Sequence, residues 1–221
     1  MKPTTCFAPA HILLPSEQVP LEQWGCIACD QFTADAGYWQ AVQDTVCDAP
    51  STLRLMLPGV YLGKCDEAAA TREIQQTVRR YLDDGVFRTV PHSLVLVQRT
   101  LPGGAARCGI VGALDLEAYD YAPDSVTPIR ATEGTVASRL PARVRIRAAA
   151  ALEMPHIMVF YSDPEDTIRR EAQAAAGETL YDFDLMSGGG HVRGLRIAGT
   201  KADALAARLC ATGVGTDGAH P

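Results

Sequence analysis

The sequence lacks any run of 18 or more consecutive apolar residues, so it predicts no transmembrane helix. It also lacks an excess of basic residues, because 20 lysines and arginines stand against 26 aspartates and glutamates, for a formal net charge of −6. An acidic chain does not present a broad surface to nucleic acid or to an anionic membrane. The N-terminal segment MKPTTCFAPAHILLP lacks the unbroken apolar stretch of a secretory signal, since Pro9 and Pro15 interrupt it. We therefore expect a cytoplasmic protein with no nucleic-acid partner and no membrane partner.

Several signatures of common enzyme classes are also missing. The sequence contains no GxSxG, HExxH or GxxxxGK[ST] motif, which disfavours a serine hydrolase, a zinc protease and a Walker-type nucleotidase. Its seven cysteines are odd in number and scattered, which is not the pattern of a disulfide framework. The single CxxC, Cys26 to Cys29, supplies at most half of a four-ligand zinc site. We expect reduced thiols rather than a structural metal.

The apolar pattern predicts an α/β fold of the α+β type, organised as a single domain over residues 1–221. The clearest helix runs from Asp66 to Asp84, with Asp66 as its N-cap and Gly85 just past its end. Two hairpins are predicted from β-branched runs that flank turn residues, namely Ser93–Arg99 with Arg107–Leu116, and Leu180–Met186 with His191–Ile197. Adjacent hairpins with helices between them predict a mixed, largely antiparallel sheet with flanking helices.

Three further apolar runs suggest extended backbone. Trp24–Cys29 is typical of a buried strand, Thr52–Leu57 of an extended segment that ends at Pro58-Gly59, and Ile157–Tyr161 of another strand. Asp30 and Gln31 follow the first of these runs. Because polar residues at strand ends commonly line binding sites, we expect Asp30 and Gln31 to contact a ligand.

Five arginines and one carboxylate, Glu133, lie in the stretch RATEGTVASRLPARVRIR, from Arg130 to Arg147. Two conformations group the arginines. A helix that begins at Pro141 places Arg143 and Arg147 at positions i and i+4 on one face, just after Arg139. A strand instead points Arg143, Arg145 and Arg147 in one direction. Like charges in either arrangement destabilise the fold unless a nearby anion neutralises them.

The chemistry of this stretch favours an oxyanion ligand. The planar guanidinium makes bidentate contacts to phosphate or carboxylate. Gly134 lets the backbone turn and bring N–H groups close to an oxyanion, and Thr135 adds a hydroxyl. Glu133 could be a general base, a metal ligand or a salt-bridge partner of an arginine. A solvated charged face with internal ion pairs remains an equal alternative, whereas nucleic acid is disfavoured because no aromatic residues interleave with the arginines.

Two features near the C-terminal end have similarly open interpretations. The glycines of Gly188–Gly190, before His191, form either a phosphate cradle or a plain hairpin turn. Asp182 and Asp184 alternate with apolar residues, so both carboxylates face one side of a strand, where they either hold Mg²⁺ or form a wet face.

Three stretches resemble the bacterial family called domain of unknown function 1015. They are TEGTVASRLPARVRIRAAAALEMPHIMVFYSDP at 132–164, ACDQFTADAGYW at 28–39 and LYDFDLMSGGGHVRG at 180–194. The resemblance extends to about Gly194. It implies that the chain is the N-terminal part of a longer architecture, because family members are about twice this length. The positions that match the pattern of the family are Glu133, Thr135, Arg139, Arg143, Arg147 and His156.

The resemblance also implies a link to phosphate chemistry, since the later segment of the family is similar to the phosphate-handling motif of the ParB-like and free-serine kinase group. We expect an enzyme or enzyme fragment that binds a phosphorylated small molecule or nucleotide, with kinase-like phosphoryl transfer and Mg²⁺ with a nucleotide as its cofactors. Glu133 and His156 are the expected catalytic residues, and Thr135, Arg139, Arg143 and Arg147 the expected ligand contacts. The alternatives are a non-catalytic anion-binding or regulatory module, or a structural half that needs a further C-terminal segment.

Overall fold

The computed structural model of the chain describes residues 6–27, 32, 34–122, 124–125, 127–131, 137, 140–148, 152–154 and 157–212. Its strands are β1 (Phe7–Ala8), β2 (Ala10–Pro15), β3 (Phe87–Thr100), β4 (Ala106–Val111), β5 (Ala113–Leu114), β6 (Tyr119–Asp120), β7 (Ile129–Arg130), β8 (Thr179–Asp184) and β9 (His191–Ala198). Its α-helices are α1 (Leu21–Trp24), α2 (Ala36–Val46), α3 (Glu67–Asp83), α4 (Leu140–Arg147), α5 (Thr167–Ala175) and α6 (Thr200–Thr212).

A five-stranded antiparallel sheet forms the centre of the fold, with the order β2-β3-β9-β8 and with β4 also paired to β3. The long strand β3 pairs with β2 through its first half and with β4 through its second half. Two small pairs lie outside this sheet, β1 with β5 antiparallel and β6 with β7 parallel. The prediction of a mixed, largely antiparallel sheet with hairpins and flanking helices is confirmed.

One face of the sheet is covered by two helices near the C-terminal end. Leu94 and Leu96 of β3 and Ile197 of β9 are fully buried there against α5 and α6. The helices contribute small and branched side chains, Ile168, Ala172, Ala202, Leu205 and Ala206. Close packing of alanines brings both helices near the strands, so the sheet and helices share one apolar core.

The long helix α3 begins and ends where its sequence predicts. The side chain of Asp66 accepts hydrogen bonds from the N–H groups of Ala68 and Ala69, both at 3.0 Å. Gly85 follows the helix with φ +70°, a left-handed conformation that glycine adopts without steric cost. Val78 and Tyr81 on the apolar face of α3 pack on Trp24, which closes a second core cluster.

The predicted strand Trp24–Cys29 is wrong over its described part, because Leu21–Trp24 is helical and residues 25–27 pair with no strand. The backbone groups that would hydrogen-bond to a neighbouring strand instead hydrogen-bond to side chains. The carbonyl of Trp24 accepts hydrogen bonds from the hydroxyls of Ser51 and Thr52, at 3.0 and 2.9 Å. The N–H of Ile27 donates to the hydroxyl of Tyr38 at 2.7 Å.

Two other predicted extended segments also differ. Thr52–Leu55 is a 3-10 turn, which Ser51 caps by accepting a hydrogen bond from the N–H of Leu53 at 3.3 Å. Residues 157–161 are in no strand of the described structure, and the side chains of Ile157, Met158 and Phe160 are exposed. Their β-branched and aromatic pattern favours extended backbone, but a strand also needs a neighbour to pair with.

Within the described residues, no helix combines the length and the apolar character needed to cross a membrane.

Candidate functional site

The arginine stretch forms the eight-residue helix α4, so the helical alternative is confirmed over the strand. Arg143 and Arg147 lie four residues apart on one face, whereas Arg145 lies on the opposite face. We call α4, with these three arginines, the arginine helix. It contacts α3, and two polar contacts between the two helices are described.

Arg145 anchors the arginine helix to α3. Its Nη2 donates to Oε2 of Glu67 at 3.0 Å, and its carbonyl accepts a hydrogen bond from Nε2 of Gln75 at 2.8 Å. The two contacts reach the first turn and the middle of α3, so they attach this part of α4 to α3 at two points. The charge of Arg145 is used for this anchoring.

Arg147 holds the other end of the arginine helix. Its Nε donates to the carbonyl of Met154 at 3.2 Å, and its Nη1 lies 3.5 Å from Oε2 of Glu153. A cation in the last turn also interacts favourably with the partial negative charge of the helix C-terminus. Met154 packs against the core cluster of Trp24, Val78 and Tyr81, so Arg147 is tied to the body of the protein.

Arg143 differs from both neighbours. Its side chain is exposed, and no carboxylate or other hydrogen-bond partner engages it within the part of the chain that the structure describes. It lies on the same face of the helix as Arg147. The geometry therefore leaves one full positive charge directed to solvent on a helix that two other arginines hold in place.

The other six predicted site residues all lie outside the described residues. These are Asp30, Gln31, Glu133, Thr135, Arg139 and His156. Their roles stay predictions, and the structure describes only Arg143 and Arg147 from the predicted set. The carboxylates that pair with the arginines, Glu67 and Glu153, were not expected from the sequence. Glu67 lies 78 residues from Arg145 along the chain, and no local pattern indicates the pair.

The glycine triplet forms a hairpin turn between β8 and β9, closed by a hydrogen bond from the N–H of Leu185 to the carbonyl of Gly190 at 2.7 Å. Just beyond it, His191 lies between two carboxylates. Its Nδ1 is 2.7 Å from Oδ1 of Asp184, and its Nε2 is 2.6 Å from Oδ1 of Asp182. Hydrogen bonds to Asp184 and then to Asp182 raise the pKa of His191.

This arrangement requires a proton on both ring nitrogens, because each nitrogen faces a carboxylate acceptor. His191 is therefore the imidazolium cation in this geometry, and its one positive charge offsets part of the charge of the two aspartates that face one side of β8. Arg193 adds a second cation, with its Nε 3.3 Å from Oδ2 of Asp182. In the described part of the chain, no group of three or more His, Cys, Asp or Glu side chains is arranged to hold a metal ion.

Cys26, the first cysteine of the CxxC, is a half-buried free thiol, with Sγ 3.4 Å from the hydroxyl of Thr52. Burial raises the pKa of its thiol, which disfavours the reactive thiolate. Cys29 lies outside the described residues.

A cavity of about 200 Å³ lies between β4 and the start of α5. Its two carboxylates already have hydrogen-bond partners within the protein. Both oxygens of Asp163 accept hydrogen bonds from the first turn of α5, from the N–H groups of Thr167 and Ile168 at 2.9 and 2.8 Å. Asp166 pairs with Arg169 through both of its oxygens. These groups stabilise the helix start and leave little unpaired charge for a ligand.

Comparison with known proteins gives a family but no function. The family model described as "Protein of unknown function (DUF1015)" matches residues 8–212. No curated protein and no solved structure matches the chain. The match includes the arginine helix, the glycine turn and the whole central sheet.

Proposed function

The chain belongs to the DUF1015 family of proteins of unknown function, and from the chemistry of its arginine helix we propose that it binds a phosphorylated small molecule, or one with a carboxylate group. Arg143 contacts the anionic group. The observation that carries this proposal is the difference between the three arginines: Arg145 and Arg147 are held by carboxylates, and Arg143 is exposed with no described partner.

Electrostatics supports an anion at this place. Arg143 and Arg147 form a like-charge pair at i and i+4, which destabilises an isolated helix by about 0.2–0.5 kcal/mol. One phosphate can contact both guanidinium groups and remove this repulsion. Because Glu67 and Glu153 already fix the helix, little conformational entropy is lost when the ligand binds, and a pre-positioned site binds more tightly.

The activity that fits such a site is kinase-like phosphoryl transfer. That reaction depends mainly on the positioning of the phosphate and on stabilisation of its charge, which arginines provide. In this proposal Glu133 is the base or a Mg²⁺ ligand, and His156 exchanges a proton with the substrate. Thr135 and Arg139 add contacts to the phosphate, and Asp30 and Gln31 contact the rest of the ligand. A nucleotide with Mg²⁺ is the phosphate donor.

A non-catalytic regulatory module would bind the same anion without turnover. Glu133→Gln separates the two functions, because it removes a base and keeps the size of the side chain. Phosphoryl transfer by the wild type, lost in the variant while binding is kept, supports the enzyme. Binding in both proteins without turnover in either supports the module.

A second candidate function, that of a structural half, rests on exposed apolar side chains. Val144 on the arginine helix is 60% exposed, and Met158 and Phe160 are 71% and 67% exposed. Apolar surface of this kind is typical of an interface. If it is covered by a further segment of a longer chain, the protein alone should melt without cooperativity, and adding that segment should restore a cooperative transition.

A thermal-shift screen tests the binding proposal. Its ligands are nucleotides, phosphorylated amino acids and sugars, and inorganic phosphate, each with and without Mg²⁺. A ligand at 100 times its dissociation constant stabilises the protein by about 2.7 kcal/mol. Each kcal/mol raises the melting temperature by about 2–4 °C in a chain of this size. A hit that Arg143→Ala abolishes supports the site, and a hit that Arg143→Ala leaves unchanged removes Arg143 from it.

A further inference from the structure

A second uncompensated arginine lies at the far end of β3. Arg99 donates from Nη2 to the carbonyl of Gly189 at 3.2 Å. Its Nε is buried and has no hydrogen-bond partner, and no described carboxylate lies within ion-pair distance of its guanidinium. A half-buried charge with an unpaired donor is unfavourable in isolation. Arg99 is therefore left with one unmade hydrogen bond and with no described counter-charge.

Arg107 adds a second positive charge beside Arg99. The two residues are directly opposite in the β3–β4 ladder, so their side chains lie on the same face of the sheet. Arg107 is exposed, and it too has no described carboxylate partner. Like charges directly opposite in a ladder are destabilising. An anion between the two guanidinium groups would turn this repulsion into attraction.

The glycine turn lies beside Arg99, because the carbonyl of Gly189 accepts the hydrogen bond from its Nη2 at 3.2 Å. Ser187, Gly188 and Gly190 have φ of +55°, +67° and +87°. The turn cannot move freely, because a Cβ on Gly190 would lie 2.1 Å from the carbonyl oxygen of Thr100. Among the described residues, no backbone carbonyl accepts from the N–H groups of Ser187 and Gly188. Successive N–H groups in such turns form concave anion sites.

We propose that Arg99, Arg107 and the N–H groups of Ser187 and Gly188 bind a phosphate group of a small molecule. Phosphate fits because it carries up to two negative charges for two arginines, and its several oxygens can accept from the guanidinium groups and the turn together. The open space beside Gly188, where a Cβ would meet nothing within 4 Å, leaves room for the rest of the ligand. This site shares no residue with the arginine helix, so evidence for or against it does not bear on the proposed function.

The test uses inorganic phosphate on the full chain in an Arg143→Ala background, which removes the other proposed anion site. The melting temperature is measured as phosphate replaces chloride at constant ionic strength, for this parent and for three variants of it. Arg99→Met and Arg107→Met remove the proposed contacts. Lys201→Met is the control, because it removes one exposed positive charge from α6, which begins beyond the end of β9 that lies opposite the glycine turn.

We expect phosphate to stabilise the parent and the Lys201→Met control equally. Arg99→Met should weaken phosphate binding about tenfold or more, and Arg107→Met should weaken it to a smaller extent. Without phosphate, Arg99→Met should melt at or above the temperature of the parent, because it removes an unpaired buried charge. This keeps the loss of binding distinct from a loss of fold.

Three results would overturn the proposal: a parent whose melting temperature does not respond to phosphate, an Arg99→Met variant that responds as the parent does, or equal losses in Arg107→Met and Lys201→Met. If Arg99→Met fails to fold, the exposed Arg107 still decides the matter, since an unchanged response in Arg107→Met contradicts the site. Repeating the titration with acetate distinguishes the ligand class, and stronger stabilisation by acetate than by phosphate would contradict a phosphate group.

Discussion

His191 and Asp184 face each other directly across the β8–β9 ladder, with Nδ1 of the imidazole 2.7 Å from Oδ1 of the carboxylate. Asp182 closes on the other ring nitrogen at 2.6 Å. The two carboxylates raise the pKa of His191 above its ordinary value of about 6.5. A histidine whose pKa is higher in the folded than in the unfolded protein stabilises the fold. This contribution is fully present at a pH below the unfolded pKa, and it is lost as pH rises through the folded pKa.

We therefore expect the stability that His191 contributes to decline as pH rises from its ordinary pKa of about 6.5 through its raised pKa in the folded protein. NMR titration of the His191 ring protons measures the pKa directly. Asp184→Asn and Asp182→Asn should each lower it, and the double variant should bring it to about 6.5 or below. A wild-type pKa at or below about 6.5 would contradict the geometry of the cluster.

Alanine substitutions at Gly190 and Gly188 test how tightly the glycine turn is packed. Both glycines have positive φ, but only Gly190 is crowded by neighbouring atoms. Gly188→Ala should cost about 1–2 kcal/mol, because it meets only the left-handed backbone penalty. Gly190→Ala adds a Cβ 2.1 Å from the carbonyl oxygen of Thr100, so it should cost at least about 1–3 kcal/mol more. Urea denaturation of both variants measures the difference, and equal costs would mean that the turn is not packed against Thr100.

The ion pair between Arg145 and Glu67 is partly exposed, with side-chain exposures of 49% and 30%. Exposed pairs contribute about 0.2–1 kcal/mol, so Glu67→Gln should lower the free energy of unfolding by no more than this. Gln keeps an acceptor for the N–H of Gly63, which bonds Oε1 of Glu67 at 3.0 Å. A loss well above about 1 kcal/mol in urea denaturation would show that α4 depends on this one contact.

The sequence predicted the elements whose ends are set by nearby residues, namely the helix α3 and the two hairpins. Asp66 and Gly85 delimit α3 because capping acts within a few residues. The turns at 101–104 and 188–190 set both hairpins, because loop length fixes the register of the strands beside it. Pro141 and the spacing of Arg143 and Arg147 agreed with a helix, although the sequence alone left a strand equally open.

Contacts between distant residues account for what the sequence did not predict. Trp24 was expected in a strand, yet its carbonyl is taken by Thr52, 28 residues away. The partner of Arg145 lies 78 residues away, and the contact from Arg99 to Gly189 spans 90. The position of Arg99 opposite Arg107 does follow from the turn between them, so the sequence carried a signal for that pair. The sequence did not show that this pair lacks a described counter-charge, because residues from any part of the fold can supply one.

The most direct test of the central claim is isothermal titration of the best phosphorylated ligand from the screen into the wild type, Arg143→Ala and Arg145→Ala. Both variants remove one positive charge from the same helix, but only Arg143 lacks a described protein partner. We predict that Arg143→Ala weakens binding by about 1–3 kcal/mol, the scale of a charged hydrogen bond, and that Arg145→Ala weakens it less. Unchanged affinity in Arg143→Ala, or equal losses in the two variants, would contradict a specific anion site on the arginine helix.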